Sequence, residues 1–331
     1  MLIVVLLLAI VVFGIDIGLG PYTLDFITVY QQIFDRIMDW GQEMSTDMRV
    51  VWNLRMPRVI AALLAGMGLA MAGAAMQSMM KNPLADPYTT GISSGASFGA
   101  TLAILFSISF IPGTYATVIN AFVFSLIPMA VIVLVSKIKN ASPTTMIMSG
   151  IAVMYIFNAI TTMIKLWADP NDLEAIYLWS VGSFDTIRWD DLPMMFFVTL
   201  FGSIGIMLIS NKLNILASGD ESAKSLGIDA SRLRIICLVV VSLITASIVS
   251  FTGIIGFVGL VAPHVVRLFI GSDNKFLIPA SAAFGAALLL ISDLVGRTII
   301  APSVIQVGVI TSFIGGPLFL YLIIRQKKEM W

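Results

Sequence analysis

The amino-acid sequence predicts an all-α polytopic membrane protein, a single domain over residues 1–331 with about ten transmembrane helices. Three observations predict it. Only 11% of the residues are charged and 58% are hydrophobic, whereas a soluble domain carries about 25% charged residues. Apolar runs recur along the whole chain at the length, roughly 20 residues, that crosses about 30 Å of hydrocarbon. Twelve of the 19 basic residues and twelve of the 19 acidic residues gather at opposite ends of those runs. This composition excludes a soluble enzyme, and a single cysteine, Cys237, excludes a disulfide scaffold. Zero formal charge offers no reading as a nucleic-acid binder.

In chain order the runs are 2–20, 57–80, 90–111, 116–136, 143–166, 193–211, 235–253, 255–270, 277–300 and 304–325. Each must be helical, because lipid supplies no partner for backbone N–H and C=O groups. The first lacks a basic leading region and a small-x-small cleavage site, so it reads as a retained span rather than a signal peptide. The run at 255–270 is short and follows Gly253, the pattern of a broken or half-length helix. Three hydrophilic segments separate the runs. In the outer loop 21–56, Leu24, Ile27, Ile33, Phe34, Ile37 and Met38 recur at helical spacing, predicting an amphipathic helix on the membrane surface. Residues 167–192 form a second outer loop rich in Trp and Asp, and 212–234 the longest inner loop.

Orientation follows from the basic residues. One set of ends carries Lys81, Lys137, Lys139, Lys212, Lys224, Arg232, Arg234, Arg267, Lys275, Arg325, Lys327 and Lys328, twelve of the 19, which makes that side cytoplasmic and turns both termini inward. The opposite ends carry Asp16, Asp25, Asp35, Asp39, Glu43, Asp47, Asp169, Asp172, Glu174, Asp185, Asp190 and Asp191.

Small residues predict close helix contacts. Gly66, Gly68, Ala70, Gly73 and Ala74 line the second run, Gly91, Gly95 and Gly99 open the third, and Gly285 and Ala286 sit in the ninth. Few residues carry chemistry. No G-x-x-x-x-G-K-[ST] loop is present, so the chain holds no nucleotide in a P-loop, and no His/Cys/carboxylate spacing suits a metal. The lone histidine, His264, beside Pro263 reads as a helix-end hydrogen-bonding group rather than a catalyst. The 19 methionines form no stripe with acidic partners and read as adaptable filling. Asp293 and Arg297, four apart, share a helix face and pair near the outer end of the ninth run; with Lys165 they are the main candidates for ionisable residues well inside a span.

Several stretches together resemble one family. Leu54-Arg55-Met56-Pro57-Arg58-Val59 leads into Leu69-Ala70-Met71-Ala72-Gly73-Ala74-Ala75-Met76-Gln77, followed by Asn82-Pro83-Leu84-Ala85-Asp86-Pro87 and Gly91-Ile92-Ser93-Ser94-Gly95-Ala96. Later come Gly256-Phe257-Val258-Gly259-Leu260, Pro263-His264, Arg267, Asp293 and Arg297. The set is similar to the FecCD/BtuC family, membrane permeases of type II ABC importers for iron-siderophore complexes, haem and cobalamin. One departure is Val304-Ile305-Gln306-Val307-Gly308, where the family typically reads Glu-Leu-Pro-Val-Gly.

The resemblance implies a BtuC-like bundle in the cell membrane. It implies a homodimer with a central path, two cytoplasmic ABC ATPase subunits that hold ATP and Mg, and an extracytoplasmic substrate-binding protein. No catalytic residue, metal or cofactor is expected on this chain. The segment Gly219, Asp220, Glu221, Ser222, Ala223, Lys224, Ser225, Leu226 and Gly227 is similar to the helix that couples such permeases to the ATPase. Its Ser222, Ala223 and Leu226 offer a small apolar face, and Gly227 ends the helix. Arg55, Arg58 and Arg297 match arginines that receive carboxylates of the binding protein. Ser142, Pro143 and Thr144 match a cytoplasmic gate loosely. An iron-siderophore permease is the leading expectation, a haem or cobalamin permease the alternative, and an ion-coupled secondary carrier a distant one.

Overall fold

In a computed structural model the described residues are 14–18, 22, 24–39, 43–139 and 141–325. Most of the first apolar run and the basic residues Lys327 and Lys328 therefore lie outside them, although residues 14–18 are helical. Twelve helices follow. They are α1 (Phe26–Met38), α2 (Met56–Met80), α3 (Ile92–Phe106), α4 (Ala116–Lys139), α5 (Pro143–Lys165) and α6 (Pro170–Val181). The second half adds α7 (Leu192–Ser218), α8 (Asp220–Ser225), α9 (Ala230–Thr252), α10 (Val258–Ile270), α11 (Asn274–Thr298) and α12 (Val307–Arg325). A short helix, Thr46–Arg49, and a π-helical turn, Val50–Arg55, lead into α2 without a break. Six of these stretches are long and apolar enough to span a bilayer, and α3, α10 and the apolar part of α12 are shorter. Nine of the ten predicted runs thus carry an apolar helix among the described residues.

The bundle is built around α2, α9 and α11, whose apolar stretches are mostly enclosed by protein, with α4, α5 and α7 outside them and mostly uncovered. Glycines set the closest contacts. A Cβ on Gly66 would stand 2.3 Å from the Gly285 carbonyl oxygen, and one on Gly73 would stand 2.0 Å from that of Gly259, so the α2 backbone rests directly on α11 and α10. Gly95 and Gly99 bring α3 against α4 in the same way, 2.4 Å from the Phe124 and Asn120 oxygens. The small-residue pattern is thus used for packing, which lipid cannot drive by itself.

The broken helix appears where the sequence places it. Gly253 ends α9 with φ +70°, residues 253–257 run without helix, and Phe257 starts α10 with φ +69°. The backbone freed nearby is paired: Ser183 N donates to the Thr252 carbonyl at 2.7 Å and Gly308 N to the Gly182 carbonyl at 3.2 Å. Irregular backbone persists in a membrane only when it is satisfied in this way.

Two outer segments differ in detail. In α1, Val29 is buried and Ile33 packs on the core with Leu24 just before the helix, while Ile27, Phe34, Ile37 and Met38 are exposed, the disposition of a helix seated on a lipid surface. The second outer loop contains a three-turn helix, α6, with Pro170 in its first turn. Pro favours that position, but within Asp169-Pro170-Asn171-Asp172 it reads equally as a turn.

Candidate functional site

On the side carrying the basic ends, α8 is a single turn and a half. Its end is a Schellman arrangement in which Ile228 N donates to the Ala223 carbonyl and Gly227 N to that of Lys224, with Gly227 at φ +75°. The glycine stop expected from sequence is present. The small apolar face is divided, however. Ala223 is fully buried against the protein, whereas Leu226 is 64% exposed and Ser222 is exposed, so Ala223 is not available to a partner. One helical position separates inward from outward on so short a helix, and composition does not reveal which way it turns.

Asp220 anchors α8 to the bundle. Arg234 Nη1 and Nη2 donate to its two carboxylate oxygens at 2.9 and 2.6 Å, and Lys81 Nζ donates at 3.2 Å. These bonds, Arg234 first, hold the carboxyl down at about 2, against the opposing effect of partial burial. Lys81 caps α2 in the left-handed region at φ +50°. Ser142, in the expected gate, caps α5: its Oγ accepts from Thr145 N at 3.1 Å and lies 2.9 Å from Thr145 Oγ1. Pro143 occupies the first turn, and Thr144 is exposed. The polar turn thus has a complete local explanation as a helix start.

On the acidic side the three arginines expected to dock a partner stand in one cluster, and each has partners within the chain. Arg55 is 5% exposed and donates to the carbonyls of Ile17 and Gly18 at 2.6 and 2.9 Å, and to that of Tyr22. Arg58 Nε lies 2.9 Å from both oxygens of Asp293, its Nη2 donates at 2.7 Å, and its Nη1 reaches Asp185. Arg297 Nε donates to Asp293 at 3.0 Å, the expected i, i+4 pair, and its Nη2 reaches Asp16. Asp293 and Asp16 are buried, while the Asp185 side chain is 37% exposed. Arg58 is therefore the member whose partner faces solvent. Sequence reasoning found the arginines and Asp293, but read Asp16 and Asp185 only as charges of the outer ends, because they lie 281 and 127 residues from their partners.

Beside this cluster a cavity of about 820 Å³ is lined by Tyr115, Trp179, Asp185, Arg188, Asp190, Asp191 and Gln306. The loop forming its rim is pinned by Trp189, which stacks on Trp52 at 4.9 Å and donates to its carbonyl at 2.7 Å. A shallower hollow of about 570 Å³ runs over Tyr177, Ser180, Gly308, Ser312 and Phe313 on α6 and α12. His264 departs from expectation: it is buried inside α10, packs edge-on against Phe319, and neither ring nitrogen has a hydrogen-bond partner among the described residues. No group of three or more His, Cys, Asp or Glu side chains is placed to hold a metal among the described residues.

The FecCD transport family model matches residues 6–325. The chain belongs to the FecCD transport family. An ABC transporter permease protein of Methanocaldococcus jannaschii is 41% identical over 92% of this chain and 90% of its own. The hemin transport system permease of Yersinia pestis is 34% identical over 98% of this chain and 95% of its own. A solved structure described as an inward-facing conformation of a metal-chelate type ABC transporter superposes with a TM-score of 0.86 at 29% identity, over 98% of this chain and 99% of that one. This FecCD protein is accordingly a multi-pass membrane permease subunit of the ABC class.

Proposed function

We propose that the chain is the transmembrane half of an ATP-driven importer for a metal chelate, an iron-siderophore complex first and haem or cobalamin second. The family match over residues 6–325 carries this reading. Relatives include the iron(3+)-hydroxamate import permease and the iron(3+)-citrate import permease of Bacillus subtilis, and the cobalamin import permease of Halobacterium salinarum. In this reading residues 1–331 form one domain that pairs with a second copy around a central path. Two cytoplasmic ATPase subunits carry ATP and Mg, and an extracytoplasmic binding protein delivers cargo. Both termini face the cytoplasm, as the basic residues favour.

The work of this chain is conformational. ATPase subunits seated on residues 219–227 bias a two-state bundle, and cargo crosses without covalent change. Leu226, exposed at the tip of α8, suits an apolar seat on that partner. The Ser142, Pro143 and Thr144 turn closes the inner end of the path. On the outer face the docking role falls chiefly to Arg58, where a partner carboxylate replaces Asp185; Arg55 and Arg297 hold the platform beneath it. A guanidinium fork suits such an exchange because it donates two parallel hydrogen bonds to a carboxylate.

The test is reconstitution into liposomes with the ATPase subunits and binding protein, with labelled ferric hydroxamate, haem and cobalamin offered in turn. ATP-dependent uptake of one of them is expected. Uptake by the permease alone, or none with any of the three, overturns the reading.

A further inference from the structure

The cytoplasmic tether of α8 depends on a charged residue enclosed by protein. Arg234 is the fifth residue of α9, and its side chain is only 1% exposed. Every nitrogen of its guanidinium is engaged, and together the engagements reach three parts of the fold. Nη1 and Nη2 grip Asp220 on α8 at 2.9 and 2.6 Å. Nη1 also donates to the carbonyl of Ala141, the residue before the Ser142 cap of α5, at 3.2 Å. Nε points at the carbonyl of Met79, in the last turn of α2, at 3.4 Å. Lys81, the cap of α2, reaches the same Asp220.

One buried cation thus joins α8, the end of α2, the start of α5 and the start of α9. A bidentate charged pair is short and directional, so a displacement of Asp220 carries the guanidinium with it. The Ala141 and Met79 carbonyls must then follow or lose a donor in a buried setting, which is costly. We propose that Arg234 is the positioning residue through which movement of α8 is delivered to the start of α5 and the end of α2. It touches neither nucleotide nor cargo. The proposal rests on the coupling role of α8 put forward above and names the side chain that carries the motion onward. Asp220 stays ionised because Arg234 holds its carboxyl low, so the link persists throughout the physiological pH range.

The test uses the assembled complex of permease, ATPase subunits and binding protein in liposomes. Arg234→Lys, outside residues 219–227, is the leading variant, because it keeps the charge of a buried side chain and loses the fork; Asp220→Asn removes the partner carboxylate. Cargo uptake is expected to fall about tenfold in both, and in Arg234→Lys ATP hydrolysis stays within about twofold of the parent. A spin label at Thr144→Cys, read across the two copies, should lose its nucleotide-dependent distance change in both variants, and Asp220→Glu should retain it. A static brace would behave otherwise. Uptake and hydrolysis falling together in Arg234→Lys, an undiminished distance change in either variant, or equal damage in Asp220→Glu and Asp220→Asn would each overturn the proposal. The parent complex separates the two readings: ATP-independent uptake there sinks the transport function, whatever the variants do.

Discussion

Asp293 is the residue on which the outer face depends most. It is fully buried and neutralises parts of both Arg58 and Arg297, whose side chains are 11% and 6% exposed. Asp293→Asn would leave two largely buried cations short of a partner, a loss of about 3–5 kcal/mol, seen as a lower unfolding temperature in detergent. Asp185 is different, because its side chain is partly exposed and holds only the outward end of Arg58. Asp185→Asn should leave folding unchanged and strengthen binding-protein association severalfold at low salt, measured as a dissociation constant. Weaker association would assign Asp185 itself to the docking surface. On the inner face the carboxyl of Asp220 is lowered from 3.8 to about 2. Its stabilising effect is therefore complete above the unfolded value and is lost only as pH falls through about 2. A spin label at Ser225→Cys should keep one mobility from pH 8 to pH 5, and become more mobile at every pH in Asp220→Asn.

Helix contacts are the level at which sequence and structure agree best. Gly66 and Gly285 were visible as small residues in apolar runs, and the structure sets them against each other, each leaving no room for a Cβ. Gly66→Ala should part α2 from α11 and destabilise by roughly 1–3 kcal/mol. Gly205→Ala, where the nearest side-chain atom is 3.5 Å away, serves as the tolerated control. Which helices meet was not legible: nothing local to Gly73 announces Gly259, 186 positions further along. The same limit applied to Arg234 and Asp220, read from sequence only as an inner-side charge and a helix-start carboxylate. Such pairs are fixed by tertiary packing, which periodicity does not encode. The helix α6 was missed for another reason, since its Asp-Pro-Asn-Asp opening satisfies both turn and helix-start chemistry.

At the scale of the molecule, hydropathy sufficed to place nine apolar helices among the described residues, because the bilayer selects segments by their transfer energy, and the basic residues predict a direction across the membrane. The direction has a simple test. Cys237 is buried and the only cysteine, so introduced thiols can be read singly. In intact cells an impermeant maleimide should label Glu174→Cys and spare Lys224→Cys, and the reverse pattern would invert the topology. The apolar sides of α5, α7 and α12 remain open, with Tyr155, Leu208 and Phe313 at 68%, 77% and 80% exposure. Lipid is the natural covering for such surfaces, and the proposed homodimer would occupy part of them.

The glycine seam along α2 has a consequence for movement. Where main chain lies on main chain, as at Gly66 with Gly285 and Gly73 with Gly259, there are no side chains to change rotamer and take up a shear. That seam behaves as a stiff keel. In the proposed transport cycle the peripheral helices would be the ones to swing about it, and their travel would set the width of passage for a bulky cargo.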